Sequence, residues 1–400
     1  MSSLEIAFPG YVRDIIVRLN GAGYSAYAVG GCVRDSILGR VPHDWDVTTS
    51  AVPERVVSLF SAEPFAICDS AGIRHGTVLV KHRCGETVEV TTYRSEGKYS
   101  DHRRPDSVDF TDRIEEDLAR RDFTVNAIAA APSDEGGIAV VDPFDGIGDA
   151  RRKIIRAVGD PNLRFAEDAL RIMRAVRFSS ELGFEIDHET LAAAANLATT
   201  LSYVSAERIT SELWRMLCGE YFRPCREVLD HALPHICERF YRAFDGDSPP
   251  RNPYVRLALM FPHHDTADSL TTVLRFPSRV ASVVRSLLQT ELPSDIADVC
   301  RIMREFEMLL LAVAEYTEYI DNGAASAIRG ARLMECASDI EKLGLPYKPS
   351  MLAVRGTDLI AAGVPAKLVG RTLDALVRLV AEGSVANEKD ALTKCAMQIN

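Results

Sequence analysis

Four hundred residues, 47% hydrophobic and 26% charged, make an ordinary globular chain with core enough for two to four domains. No uninterrupted apolar run approaches membrane-spanning length, Met1–Gly10 lacks the basic-then-apolar pattern of a secretory leader, and nine scattered cysteines without a Cys-x-x-Cys pair argue against a zinc site or a disulfide framework. A reducing cytoplasm is the expected location. The net charge of −11 argues against a non-specific polyanion binder but permits a local basic groove. Arginines cluster at 103–104, 120–121, 151–156 and 164–177, and their guanidinium forks suit phosphates and base edges.

Residues 11–22 read as a helix, followed by an apolar strand from Tyr24 to Val29 that ends in Gly30-Gly31. Paired glycines let backbone amides approach a phosphate closely, since no Cβ intervenes. A short amphipathic segment carrying Arg34 and Asp35 leads through a Gly39/Pro42 turn to Asp44-Trp45-Asp46-Val47. On a strand this alternation puts both carboxylates on one face and both apolar groups in the core. Two carboxylates a residue apart form a hard-oxygen site suited to Mg²⁺ carrying a nucleoside triphosphate. No Gly-x-x-x-x-Gly-Lys-Ser/Thr occurs, so the phosphate cradle is not a Walker loop.

The ordered spacing strand–GlyGly–helix–turn–Asp-x-Asp resembles the signature of the class II nucleotidyltransferases, which comprise the bacterial and eukaryotic tRNA CCA-adding enzymes and the bacterial poly(A) polymerases. That resemblance implies that Asp44 and Asp46 hold two Mg²⁺ ions, while Gly31 and Arg34 grip nucleotide phosphate.

Pro53–Phe60 suits a short helix with proline in its first turn, and Gly76–Lys81 and Thr87–Tyr93 read as strands. Within the second, Glu89 shares a face with Thr87 and Thr91; it reads equally as a third catalytic carboxylate or as an exposed strand glutamate. The polar, aperiodic stretch Tyr93–Asp106 reads as a mobile loop. Its Tyr99-x-Asp101-x-Arg103-Arg104-Pro105 is similar to the loop that supports the switch from C to A addition in CCA-adding enzymes.

Arg120-Arg121-Asp122 interrupts an apolar region, where charges need partners. The run resembles the family's Arg-Arg-Asp-Phe-Thr-x-Asn motif. By that resemblance Arg121 contacts nucleotide phosphate or sugar, and Asp122 and Asn126 position it.

A turn-rich junction, Val140–Asp149, separates this α+β head from a chain in which strand signals nearly vanish. Phe165–Leu182 is expected as one helix. At about 100° per residue, Arg164, Glu167, Asp168, Arg171 and Arg174 share a polar arc opposite Ala169, Leu170, Ile172, Met173 and Val176. Arg177 drifts toward the apolar side and is expected to find a partner there. Asp168 and Arg171, three apart, read by default as a helix salt bridge. They read more sharply as a base reader: the carboxylate accepts from the exocyclic amine of C or A, the guanidinium donates to their ring acceptors, and the carbonyls of G and U repel the carboxylate. Arg164–Phe178 resembles the family's Glu-Asp-x-x-Arg helix, whose Asp and Arg act as an amino-acid template; Arg174 and Arg177 join the expected nucleotide-binding set.

Tyr203–Asn400 reads as helices, one starting at Ser205-Ala-Glu, with breaks near Asp245–Pro253, Leu292-Pro293 and Leu345–Pro349. His263-His264-Asp265 reads as a surface loop. Gly356–Gly370 looks like the family's tRNA-binding tail, although Ala366 stands where a glycine often follows the proline.

The expected architecture is an α+β nucleotidyltransferase head with a small mixed sheet (1–142), then all-α neck (143–217), body (218–292) and tail (293–400). The implied activity is template-independent addition of CMP, CMP and AMP to the tRNA 3′ end with Mg²⁺, CTP and ATP, with no membrane or protein partner. Addition of A alone or CC alone, poly(A) synthesis, and a non-catalytic RNA-binding protein of the same fold are the alternatives. The acidic balance and tRNA-type tail point away from poly(A) synthesis, and the intact carboxylates and arginines from a non-catalytic protein.

Overall fold

A computed structural model describes residues 5–69, 71–95, 109–133, 137–233, 236, 238–245, 249–261, 269–290, 293–305, 309–319, 328 and 330–399. The Tyr99–Pro105 motif and His263-His264-Asp265 lie outside the described residues. The chain forms two compact units, 1–234 and 235–400.

In the first unit the order is α1 (Gly10–Gly21), β1 (Ala26–Val29), α2 (Gly31–Ile37), β2 (Asp46–Thr49), α3 (Pro53–Phe60), β3 (Phe65–Asp69), β4 (Thr77–His82), β5 (Thr87–Thr92), β6 (Arg94–Ser95), β7 (Asp109–Phe110), α4 (Ile114–Ala119), β8 (Ala129–Ser133), β9 (Gly137–Val141), α5 (Gly146–Arg152) and β10 (Ile154–Ile155). Then come α6 (Pro161–Glu167), α7 (Leu170–Leu182), β11 (Glu185–Ile186), α8 (His188–Leu197), α9 (Ala206–Leu217) and α10 (Arg226–Ala232).

Seven strands make one mixed sheet in the order β3-β4-β5-β2-β1-β8-β9. Among its pairings only β2–β5 is parallel. Strand alternation divides the sheet into two chemical faces. Val47, Val78, Val80, Val88 and Val90 bury against α1, which contributes Val12, Ile15, Ile16 and Leu19 at helical spacing, and against Phe60 of α3. The same alternation turns Asp46, Thr48, Glu89 and Thr91 to the opposite face. β4 and β5 begin and end within a residue of the strands expected, whereas β1 begins two residues later than Tyr24. Asp44 and Trp45 precede β2, yet the alternation holds: Trp45 and Val47 are buried, while Asp44 and Asp46 are exposed.

The expected helix Phe165–Leu182 is two helices. Asp168 breaks it with an extended backbone, φ −136° and ψ 101°. Its Oδ1 accepts the Leu170 N–H at 3.1 Å, a local side-chain bond that competes with helix continuation. The apolar arc is retained: Ala169, Leu170, Ile172, Met173 and Val176 are all buried. α7 packs on α9, and α6 on α8. The strand signal does not end at the junction, because β10 and β11 form a two-residue parallel pair.

The second unit is helical among its described residues: α11 (Glu238–Phe244), α12 (Pro253–Leu259), α13 (Ser269–Thr272), α14 (Ser278–Leu288), α15 (Ile296–Glu305), α16 (Leu310–Thr317), α17 (Gly330–Lys342), α18 (Gly356–Ala361), α19 (Val369–Ala381) and α20 (Lys389–Ile399). Leu359, Leu376, Val377, Val380, Leu392 and Ala396 form the core of its last three helices. Ala366 sits in a single 3₁₀ turn between α18 and α19. Among the described residues no helix is long and apolar enough to cross a membrane.

Candidate active site

The polar face of β2 and β5 opens into a cavity of about 290 Å³ whose lining includes Asp46, Glu89, Arg94, Arg120, Arg121, Asp122, Asp168, Arg171 and Arg174. The parallel pairing of β2 with β5 sets Asp46 directly opposite Glu89. Two carboxylates of one charge thus share one face. Although Asp46 is exposed as a residue, desolvation of its carboxyl against the cavity wall, and then the charge of Glu89, push that carboxyl up to about 6, against the pull of Arg121. An acid in this position gains by meeting a cation.

The arginines are held from behind by a second set of acids. Asp117 of α4 has 0% exposure. Its Oδ1 accepts from Arg120 Nε at 3.0 Å and its Oδ2 from Arg121 at 3.3 Å. It also accepts from the Thr48 hydroxyl at 3.2 Å and the Arg94 N–H at 3.3 Å, which ties α4 to β2 and β6. Burial raises this carboxyl, but Arg120 and Arg121 more than offset that and hold it below its ordinary value. Asp122 is governed the same way. Burial opposes its ionisation, yet Arg174, donating from Nε at 2.7 Å, and Asn126, donating from Nδ2 at 3.2 Å, bring it down to about 2.

Gly30 shows why the paired glycines stand here. It takes φ +83°, and a Cβ on it would come within 3.1 Å of Arg121 Nη1, so the bare backbone makes room for that guanidinium. Gly31 and Arg34 do not line the cavity. Arg34 is buried, donates to Asn126 Oδ1 at 2.6 Å, pairs with Asp35 at 2.8 Å and lies over the Phe178 ring. Through Asn126 it meets Asp122, so its reach to the cavity is indirect.

Asp168 and Arg171 both line the cavity but are not an ion pair with each other. Asp168 Oδ2 pairs with Arg208 of α9 at 3.1 Å. Arg171 pairs with Glu167 at 2.8 Å and donates to the Arg120 carbonyl at 2.9 Å. The helix salt bridge expected by default is absent because Asp168 stands outside α7. Arg177, expected on the apolar side, is 2% exposed and meets Glu212 at 2.6 Å, Glu181 at 2.9 Å and the Phe178 ring at 3.9 Å. It is not in the cavity lining and holds α7 to α9 instead. Arg94, Asp117, Arg208 and Glu212 were not among the site residues expected from sequence. Asp117 offered one signal, an acid three and four residues before the paired arginines.

Arg121 Nε is buried and has no hydrogen-bond partner among the described residues, although Gly30, Asp46 and Asp117 surround the rest of its guanidinium. The side chain as a whole lines the cavity and is 21% exposed, so its guanidinium can meet an anionic ligand there. The charged part of the lining, five arginines and four carboxylates, matches a triphosphate with a divalent cation: positive charge for phosphate, and a hard-oxygen pair for the metal.

The "Poly A polymerase head domain" family matches residues 26–156, and "Probable RNA and SrmB- binding site of polymerase A" matches residues 183–233. The chain is 36% identical over 404 residues to the CCA-adding enzyme of Limosilactobacillus fermentum, covering 97% of this chain and 96% of the relative. It is 37% identical over 410 residues to that of Geobacillus stearothermophilus, covering 96% of each. Among solved structures, the Bacillus stearothermophilus CCA-adding enzyme in complex with CTP superposes with a TM-score of 0.69 at 33% identity, covering 98% of both chains. The Thermotoga maritima CCA-adding enzyme complexed with tRNA shares the fold, with a TM-score of 0.65 at 18% identity over 99% of this chain and 97% of that one. A nucleotidyltransferase head, an arginine-lined cleft beside paired carboxylates, and similarity running the length of the chain have one explanation: the chain belongs to the family of CCA-adding enzymes.

Proposed function

We propose that this chain, in the cytoplasm, adds CMP, CMP and AMP in turn to the 3′ end of tRNA, consuming CTP and ATP with Mg²⁺ and releasing pyrophosphate. The observation that carries the proposal is the sharing of one cavity by the Asp46–Glu89 pair and the Asp168/Arg171 pair, so that phosphate chemistry and base choice have a common site. In this reading 1–142 is the catalytic head, 143–217 the neck that reads the base, and 218–292 and 293–400 the body and tail that hold tRNA.

Asp44 and Asp46 would hold Mg²⁺, with Glu89 beside Asp46. Among the described residues no three His, Cys, Asp or Glu side chains converge as a ready-made metal site, so substrate oxygens and water would complete the coordination. Bound there, the metal supplies charge neutralisation and Lewis acidity for phosphoryl transfer. Arg121 and Arg174, with Arg94 and Arg120, neutralise the triphosphate. Gly31 and Arg34 support the backbone around them. Phosphoryl transfer asks for positioning and charge more than covalent chemistry, which suits this inventory.

Asp168 accepts from the exocyclic amine of C or A, and Arg171 donates to their ring nitrogen. U and G present a carbonyl to the carboxylate and an N–H to the guanidinium, so both contacts turn unfavourable. Arg208 holds Asp168 and Glu167 holds Arg171, so each reader has its own support beside the shared cavity.

The test is incorporation on tRNA ending before CCA, after C and after CC, with single nucleotides and then mixtures. The expected result is two C additions, one A addition and then arrest. Arrest after CC, addition of A alone, or a growing A tail would overturn it.

A further inference from the structure

The β4–β5 hairpin turns tightly: His82 N–H donates to Glu86 O at 2.9 Å and Gly85 N–H to His82 O at 2.9 Å. Gly85 takes φ +99°, a conformation that favours glycine. The turn folds Cys84 back over the His82 ring, so that Sγ lies 3.0 Å from Nδ1. The Cys84 backbone N–H also points to Nδ1, at 3.3 Å. A backbone N–H only donates, so Nδ1 carries the lone pair and the neutral ring keeps its proton on Nε2. The thiol S–H is therefore a second donor to the same nitrogen.

The far side of the ring completes the arrangement. His82 is 8% exposed and packs edge-on against Phe65, with ring centroids 5.4 Å apart. Its Nε2 is buried and lacks a hydrogen bond of adequate geometry among the described residues, while Asp14 Oδ2 of α1 lies 3.3 Å away. Cys84 itself is exposed. Nucleophile, base and acid thus stand in sequence, and none of the three lines the nucleotide cavity.

We propose that Cys84 is a nucleophilic thiol, with His82 as its proton acceptor and Asp14 facing the resulting imidazolium, and that it is a site of covalent modification by small-molecule disulfides. The thiol proton moves to Nδ1, which leaves a thiolate beside an imidazolium whose Nε2–H faces the Asp14 carboxylate. The thiolate electron pair attacks one sulfur of the disulfide. A new S–S bond forms as the old one breaks, and the displaced thiolate leaves with the electron pair and takes the proton back from the imidazolium. The exchange conserves the number of disulfides and needs no further oxidant.

The experiment treats the full-length folded protein with excess oxidised glutathione at pH 7 and quantifies each cysteine by peptide mass spectrometry over time. Cys68 and Cys218, also exposed, serve as internal references. With a proton acceptor 3.0 Å from its sulfur, Cys84 is expected to react at least about tenfold faster than either reference. Asp14→Asn, at an exposed position, should lower the Cys84 rate severalfold and leave Cys68 unchanged. His82→Asn should bring Cys84 down to the reference rate. A wild-type Cys84 rate within about twofold of both references would overturn the proposal. So would an Asp14→Asn protein in which the ratio of Cys84 to Cys68 labelling is unchanged.

Discussion

Two sets of carboxylates stand within one small region and have opposite fates. Asp46 and Glu89 face each other across β2 and β5, and desolvation at the cavity wall, then like charge, lift Asp46 to about 6. Asp117 and Asp122 are more deeply buried, yet arginines hold both below their ordinary values, Asp122 at about 2. Desolvation alone would have raised Asp46, Asp117 and Asp122; in the last two the neighbouring arginines reverse the sign. In the first pair the pull of Arg121 does not offset desolvation and like charge, which favours a further cation there. The second has received positive charge from the protein and spends it on orienting guanidinium groups. A cleft for a metal-bound triphosphate needs both kinds, because cation and phosphate make opposite demands within a few ångströms.

The comparison is broken most severely at the first pair. Asp46→Ala, and likewise Asp44→Ala, should reduce incorporation of both C and A by at least about 10³-fold, since the metal supplies several kcal/mol of transition-state stabilisation. Binding of tRNA should remain near wild type. Single-turnover assays with and without Mg²⁺ check this: wild type in chelator should fall toward the variant, and near-normal turnover by either variant would remove the metal assignment.

The second pair should fail differently. Asp122→Asn leaves Arg174 without its main partner, and breaking a largely buried ion pair costs about 3–5 kcal/mol. Denaturant titration should show that loss of stability, whereas Asp46→Ala should leave the metal-free fold as stable as wild type or stabilise it, because it removes like-charge repulsion.

The proposed base reader shares the cavity with Asp46, Glu89 and Asp122. Asp168→Ala removes both the acceptor for the amine of C and A and the repulsion of a carbonyl. A charge-assisted hydrogen bond is worth roughly 1.5–3 kcal/mol, so discrimination against UTP and GTP should fall about tenfold to a hundredfold. Arg171→Ala should lower use of CTP and ATP while the carboxylate still rejects U and G. Single-turnover rates for each nucleotide on tRNA lacking CCA separate the two. An Asp168→Ala protein that slows every step yet keeps the wild-type C-over-U ratio would sink the template reading.

Much of this arrangement was legible because it depends on local periodicity. Alternation in Asp44–Val47 and Thr87–Tyr93 put the carboxylates on a polar face, and Pro53 marked the start of α3. The break at Asp168 was hidden because no glycine or proline interrupts Phe165–Leu182; what breaks the helix is a side-chain bond to Leu170, with Arg208 holding the same carboxylate from forty residues away. Asp117 was hidden among Glu115 and Glu116, identical in character until the fold buries it alone. Arg177 was legible as partnered but not as excluded from the cavity, since helical phase alone does not say how deep α9 packs. Pair identities across long sequence separations belong to the fold, and the acid that steadies each arginine is set there.

The smallest expected effect sharpens the contrast through pH. The folded Asp122 carboxyl lies at about 2, below the ordinary value of 3.8, so the unfolded chain binds its proton first as pH falls. Stability from this group is fully present above about pH 4 and is lost as pH falls toward 2, amounting to about 2 kcal/mol at 1.36 kcal/mol per unit. Asp46 has the opposite sign. Its folded value of about 6 lies above the unfolded one, so the metal-free fold gains from this group as pH drops from 6 toward 4. Denaturant midpoints of wild type, Asp122→Asn and Asp46→Ala between pH 7 and 2.5, without metal, separate the two. The gap between wild type and Asp122→Asn should narrow only below about pH 4, whereas any gap between wild type and Asp46→Ala should change mainly between pH 6 and 4. A wild-type to Asp122→Asn gap that closes already at pH 6 would mean that Asp122 is not held by Arg174, and the division into a cation-seeking pair and an arginine-holding pair would fall with it.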